Sequence, residues 1–232
     1  MLFSITLGNE RKASRFAFVQ QRRVISIRPS IDILDIMSNY PSIDRLAELQ
    51  QLIADFAKVE RVPHLADNGR PENDVEHSFG LALTCWYLQP KIAPELDLLK
   101  ILQYALAHDI VELHAGDTYV FDLEKAASKE ERERAALEQI SKDWHDFPEL
   151  VEHAKDYMDK ANEEAKFVKA VDKLLPVIMI DIGQKQVWWH KYNVTLEMER
   201  EHKKSIRVSD YVSPYYEQLI EWLDKNGNIP KS

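Results

Sequence analysis

The 232-residue chain has a single cysteine, Cys85, which excludes both an intrachain disulfide and a thiolate zinc site. Cys85 sits inside an apolar helical pattern, where a small buried hydrophobe is expected, and the cysteine usage suits a reducing cytoplasm. Only six glycines are present, too few for a turn-rich all-β fold. Long apolar runs are lacking too. Leu174-Leu175-Pro176-Val177-Ile178-Met179-Ile180 falls far short of the ~20 residues that cross a bilayer, so no membrane-spanning segment is expected. Positive charge is in deficit: the formal net charge of −9 argues against a nucleic-acid duplex as partner.

The charge that is present is unevenly placed. Residues 1–36 hold six Lys/Arg against three Asp/Glu, so the acidic excess lies wholly in the remainder. Arg11, Lys12, Arg15, Arg22, Arg23 and Arg28 follow no 3.6-residue stripe. This stretch reads as an extension ahead of an internal start at Met37, a flexible arm, or a targeting peptide, though no amphipathic stripe or cleavage signal marks the last. Residues 1–40 are therefore expected to be a peripheral N-terminal extension of unknown role, and residues 41–232 one all-α domain.

Within that domain the periodicity is helical. Ser42 can cap a helix carrying Leu46, Leu49, Ile53, Phe56 and Val59, which is expected to end near Arg61-Val62-Pro63. After a polar loop, Asn73 or Asp74 can cap a helix through about Leu88, with Val75, Phe79, Ala82 and Trp86 on one stripe and His77, Leu81, Thr84 and Leu88 on a second. Apolar on most sides, it is expected to be central. A further helix leads from Leu98 to His108, with Gly116 at its end. Residues 123–143 alternate in charge and are expected to be a solvated helix with internal ion pairs rather than a binding patch. Pro148 can open the next helix. In residues 162–182, Ala165, Val168, Asp172, Leu175 and Met179 share a stripe, and Pro176 is expected to kink or break it. Ser213-Pro214 and Gly227 bracket the last helix. No strand is expected outside the first 40 residues.

Chemistry concentrates in His108-Asp109-Ile110-Val111-Glu112-Leu113-His114-Ala115-Gly116-Asp117, at the end of a buried helix. Such a cluster is costly there unless something binds it, and a divalent metal ion would do so. On a helix, His108 and Glu112 share a face while Asp109 points about 100° away. His77 and Asp172 are the candidates for the remaining ligands, because both are polar groups where the pattern calls for hydrocarbon. Taken singly, each is more often a hydrogen-bonded core residue. His114 is near the cluster but outside the pattern, so it could support a ligand from behind, and surface exposure is its expected place. His64, His145, His153, His190 and His202 lie in polar surroundings and are expected to be background. Trp188-Trp189 and Tyr215-Tyr216 could line a base pocket or a dimer contact, and core packing is their expected use.

Taken together, Glu76-His77-Ser78, His108-Asp109-x-x-Glu112-x-x-x-Gly116-Asp117 and Lys169-Ala170-Val171-Asp172-Lys173 resemble the HD-domain metal-dependent phosphohydrolases. The pattern is most similar to the bacterial 5'-deoxynucleotidase branch, over about residues 42–220, and Arg70-Pro71-Glu72-Asn73 fits that branch's approach to the first histidine. The resemblance implies an all-α HD helical bundle in which His77, His108, Asp109 and Asp172 bind one divalent transition metal, Mn²⁺, Co²⁺ or similar. It further implies that Glu112 orients or activates water and that Asp117 assists proton transfer or meets the sugar. Arg61 matches an arginine that meets the substrate phosphate, and Arg70 is a second candidate phosphate ligand. Val62 stands where the best-known members carry an aromatic residue that senses the sugar, a departure from the pattern. A homodimer is expected from the resemblance alone.

The function expected on these grounds is hydrolysis of (deoxy)nucleoside 5'-monophosphates by metal-activated water. No covalent intermediate is expected, since no Ser, Cys or Asp nucleophile motif is visible. The alternatives are another phosphate ester (a nucleoside triphosphate, a cyclic nucleotide or an alarmone) and a non-catalytic metal- or nucleotide-binding protein. Acidic Glu112 and Asp117 leave little visible basic surface for a triphosphate, and neither Glu112 nor a ligand is lost, as the non-catalytic reading would require.

Overall fold

A computed structural model describes residues 40–64, 69–116 and 128–231 of the chain. The expected extension, apart from Tyr40, and Asp117 lie outside these residues. Residues Ile43–Ser232 fall into one compact unit. Helix α1 spans Ile43–Phe56, strands β1 and β2 span Glu60–His64 and Pro71–Asn73, and helices α2 and α3 span Asp74–Ile92 and Leu98–Ala107. A single turn, α4 (Glu112–Ala115), precedes α5 (Lys129–Asp143), α6 (Pro148–Asp159) and the long α7 (Glu163–Gly183). Then come α8 (Gln186–Lys191), α9 (Leu196–His202), a 3₁₀ turn (Lys203–Val208) and α10 (Pro214–Asn226). Among the described residues the domain is all-α apart from one small ribbon.

Local chemistry sets most of the helix limits. The Asp97 carboxylate accepts from the Leu99 and Lys100 amides at the start of α3, and the Asn162 side chain accepts from the Ala165 amide at the start of α7. Pro148 and Pro214 occupy first turns, where their missing N–H costs nothing. Gly227, at φ +67°, ends α10 in the left-handed region that favours glycine. At α2, Asn73 accepts from the Glu76 amide at 3.0 Å while the Glu76 carboxylate accepts from the Asn73 amide at 3.2 Å. Because α2 carries His77, this reciprocal cap matters to the site. Asn73→Ala is expected to cost about 1 kcal/mol of stability, measured by urea denaturation, and Asn73→Ser to recover most of it.

Two apolar clusters hold the helices together. The larger joins Leu81 and Cys85 of α2, Tyr104 of α3, Phe167 and Val171 of α7, Trp189 of α8 and Leu223 of α10. The smaller joins Phe56 of α1, Ile110 and Val111, Ile140 of α5 with the Trp144 that follows it, and Ala154 of α6. Segment 108–116 follows the end of α3 and gives Ile110 and Val111 to the smaller cluster.

Several expectations need correction. Helix α1 stops at Phe56 rather than near Val62, and the chain then forms an antiparallel β1–β2 ribbon with Glu60 opposite Asn73 and His64 opposite Pro71. Strands this short, each containing a proline, offer no period-2 signal to read. Helix α2 is not buried on most sides. Phe79 and Trp86 are 68% and 58% exposed, and the buried residues include Asp74, His77, Leu81, Cys85 and Leu88. Helix α7 runs through Pro176 without a break, although Pro176 has no N–H to give the Asp172 carbonyl one turn earlier.

Candidate metal centre

Helix α3 ends at Ala107, so His108 and Glu112 do not share one continuous helix as expected. The intervening turn is tightened by i→i+3 bonds, from the Ile110 amide to the Ala107 carbonyl at 3.2 Å and from the Glu112 amide to the Asp109 carbonyl at 2.8 Å. It leaves His108 and Glu112 buried and Asp109 half-buried. Gly116, at φ +70°, closes α4.

His77 of α2 and Asp172 of α7, 95 residues apart, meet with Nε2 3.1 Å from Oδ1. The His77 and His108 rings stand 5.3 Å apart, centre to centre. His77, His108 and Asp109 each turn one donor atom into a region where those atoms lie within 4.8 Å of one another, and Asp74, Asp109 and Glu112 form a second such trio. The structure thus brings His77, His108, Asp109 and Asp172 together, with Glu112 alongside. Asp74, read from the sequence only as a helix cap, is fully buried beside them.

Outer contacts orient these groups. His108 Nδ1 meets the Ala105 carbonyl, 2.9 Å away, which turns Nε2 toward the cluster. That Nε2 lies 2.8 Å from Asp109 Oδ2, off the line of a hydrogen bond, and has no hydrogen-bond partner among the described residues. His77 Nδ1 faces Glu72 of β2 at 3.5 Å, and the Tyr157 hydroxyl donates to Asp172 Oδ2 at 2.8 Å. Arg61 of β1 donates through Nη1 to Asp109 Oδ2 at 2.7 Å and to Asp74 Oδ1 at 3.0 Å. Burial alone would raise the Asp109 carboxyl, but His108 and Arg61 hold it well below the usual carboxylate range. Asp172 is held low against its burial by Lys173, His77 and His108. His77, though opposed by burial and by Arg61, is lifted to about 9 by its hydrogen bonds to Asp172 and Glu72.

Beside the cluster lies a cavity of about 620 Å³. Arg61, His108, Asp109, Glu112 and Asp172 line one part of it. Arg70 does not line it. Its exposed guanidinium pairs with Glu76 and the Pro71 carbonyl. Exposed His114 is also outside it.

The sequence gives no site role to five cavity-lining lysines: Lys129, Lys160, Lys169, Lys173 and Lys203. Lys173 Nζ reaches Asp172 Oδ2 at 3.1 Å, and Lys129 pairs with Glu133 at 3.2 Å. Burial, aided by Lys173, lowers the Lys169 ammonium to about 8 against the pull of Asp172. The charged helix α5 is therefore not merely solvated, and the site is more basic than Glu112 and Asp117 imply. The available signal was the i, i+4 pair Lys169 and Lys173 straddling Asp172. Trp188 is buried and lines the same cavity, so a wall position joins its expected core role. Trp189 is core, and its indole N–H donates to Asp181 at 3.2 Å.

Residues 54–211 match the model of the HD domain family, and the chain belongs to that family. It is 28% identical to human 5'-deoxynucleotidase HDDC2 over 131 residues, which cover 55% of this chain and 63% of that protein. The mouse protein matches to the same extent, with 64% of its length covered, so the chain spans under two thirds of these curated relatives. A crystal structure of a predicted metal-dependent phosphohydrolase from Magnetospirillum magnetotacticum MS-1 superposes with a TM-score of 0.68 at 26% identity, covering 80% of this chain and 98% of that one. The PH0347 protein of Pyrococcus horikoshii OT3 shares the fold, with a TM-score of 0.55 and 23% identity over 78% of this chain and 99% of that one.

Among the described residues, no helix is long and apolar enough to cross a membrane.

Proposed function

We propose that this chain is a metal-dependent phosphohydrolase that cleaves (deoxy)nucleoside 5'-monophosphates to nucleoside and phosphate. One observation carries the reading: His108 Nε2, buried and without a hydrogen-bond partner among the described residues, faces the same small region as His77 and Asp109. Asp172 reaches that region through His77. Two imidazoles and two carboxylates are a donor set suited to a divalent transition ion such as Mn²⁺ or Co²⁺. His77, His108, Asp109 and Asp172 would hold that ion. Once bound, the ion supplies Lewis-acid polarisation of the phosphoryl oxygen and a lowered pKa for water.

The chain's own residues supply the rest. Glu112, which lines the cavity beside Asp109, would orient the attacking water and take its proton. Arg61, Lys129, Lys169 and Lys173 offset the charge that builds on the phosphoryl oxygens. Asp117 retains the proposed part in proton transfer or sugar contact that the family resemblance assigns it, and Arg70 is kept only as an outer phosphate contact, given its pairing with Glu76. The nucleoside part fits a cavity of this size. Val62 puts no aromatic face there, but Trp188, whose N–H points at the Val62 carbonyl at 3.4 Å, supplies one. The name of the HDDC2 relatives supports the same substrate class, and that of the Magnetospirillum structure supports metal-dependent phosphohydrolysis.

The direct test is phosphate release from a panel of ribo- and deoxyribonucleoside mono- and triphosphates, with and without Mn²⁺ or Co²⁺, using chelator-stripped protein as control. The expected outcome is metal-dependent turnover of the 5'-monophosphates, abolished by stripping and restored by readdition. Absence of turnover on every phosphate ester with either metal present would overturn the reading. Preference for triphosphates would move the substrate class, as the lysine-lined cavity permits.

A further inference from the structure

We infer that Glu199 and Lys203 form a recognition subsite for the leaving group, binding the polar edge of a nucleobase that carries an N–H donor beside a C=O acceptor. The inference rests on the phosphohydrolase reading only in taking the same cavity as the substrate site.

Glu199 lies in α9, and Lys203, one turn later, opens the 3₁₀ turn. On a surface such an i, i+4 pair would be an ordinary ion pair. Here both side chains are 5% exposed, and both residues line the cavity that Asp172 and Lys173 also line. They do not satisfy each other. Glu199 Oε2 and Lys203 Nζ are 4.0 Å apart, too far for a hydrogen bond, and Oε2 has no hydrogen-bond partner among the described residues. Removing a carboxylate and an ammonium from water is costly, and their attraction compensates only when geometry is close and the remaining lone pairs are satisfied. Burial accordingly raises the Glu199 carboxyl against the pull of Lys203, and it lowers the Lys203 ammonium against Glu199. A buried pair held apart at a cavity wall is arranged for a third group placed between its members.

The rest of the cavity indicates what that group is. Val62, Pro176, Val177, Ile180 and Trp188 give it an apolar wall, suited to the face of a planar ring. Beyond such a wall, an acceptor and a donor side by side match a lactam edge: Lys203 donates to the carbonyl oxygen and Glu199 accepts from the neighbouring N–H. Guanine, with two N–H donors beside its carbonyl, engages both groups most fully. A site built on buried hydrogen-bonding groups discriminates strongly against ligands that leave those groups unpaired.

The test uses the full chain with its metal, Glu199→Gln as a near-isosteric change, and the double variant Glu199→Leu/Lys203→Met, which removes both charges so that neither is left buried alone. Calorimetric titration with deoxyguanosine, which lacks a phosphate, should show binding by the wild-type chain and binding weakened about tenfold or more in the double variant. In turnover, kcat/KM for deoxyguanosine 5'-monophosphate relative to p-nitrophenyl phosphate should fall by about the same factor, chiefly through KM. Failure of the wild-type chain to bind deoxyguanosine, or an unchanged substrate ratio in both variants, overturns the subsite. If the wild-type chain hydrolyses neither ester yet binds deoxyguanosine in a Glu199- and Lys203-dependent way, the phosphohydrolase reading falls and the subsite stands.

Discussion

Replacing Asp109 with alanine is expected to remove bound divalent metal and turnover together. Asp109 Oδ2 faces His108 Nε2 at 2.8 Å and receives Arg61 Nη1 at 2.7 Å, so one oxygen anchors both the donor cluster and the arginine beside it. The carboxylate is kept ionised by its neighbours despite its surroundings, as a ligand that must not carry a proton requires. Deleting it takes away a negative charge where a divalent ion would sit. The expected loss in kcat/KM is roughly a thousandfold or more, the scale of several kcal/mol of charge stabilisation. Elemental analysis of the purified variant should then find little or no metal. Arg61 complicates the result, because it loses one of its carboxylate partners and Asp74 and Glu72 remain. Asp109→Asn keeps the shape and removes only the charge. It should melt close to the wild-type chain while still failing to retain metal, which separates a ligand from a fold-supporting residue. Stoichiometric metal and full activity in Asp109→Ala would show that Asp109 is not a ligand.

The parts of this site that were legible in the sequence are those that violate a pattern. His77 and Asp172 stood out as polar groups in apolar stripes, and both are almost fully buried. The crowding at His108–Glu112 was visible because the segment is local. What could not be read is which residue on one element stands opposite which on another. Periodicity places a side chain on a face of its own helix and says nothing of the neighbour across from it. Lys129 therefore reads as one more charge on a solvated helix, and nothing in the pattern singles out Glu199 or Lys203. The ribbon was missed because five and three residues, two of them proline, show no alternation. Yet that ribbon carries Arg61 to Asp109 and Glu72 to His77. The turn at 108–111 was misread for a related reason. The i→i+3 bonds that tighten it, and the Ala105 carbonyl that meets His108 Nδ1, are backbone events with no residue-type signature.

Glu112→Gln is expected to leave the metal in place and to lower kcat by about a hundred- to ten-thousandfold, the usual contribution of a positioned proton acceptor. The geometry makes this a choice between two roles. Glu112 lines the cavity with Asp109 and Lys129, as a residue that handles water next to the substrate should. It also belongs to a trio with Asp74 and Asp109 whose donor atoms lie within 4.8 Å of one another, as a ligand would. His108 favours the first role: its Nε2 faces the trio formed with His77 and Asp109, which supplies a donor set without calling on Glu112. Glutamine preserves the size of the side chain and one acceptor oxygen but cannot take a proton. If Glu112 handles the proton, metal content stays near that of the wild-type chain, KM changes little and kcat collapses. If Glu112 is a ligand, metal content falls with activity, as in Asp109→Ala. Full activity with full metal would place Glu112 outside the reaction, its remaining effect being on Lys129, whose ammonium it helps to hold charged.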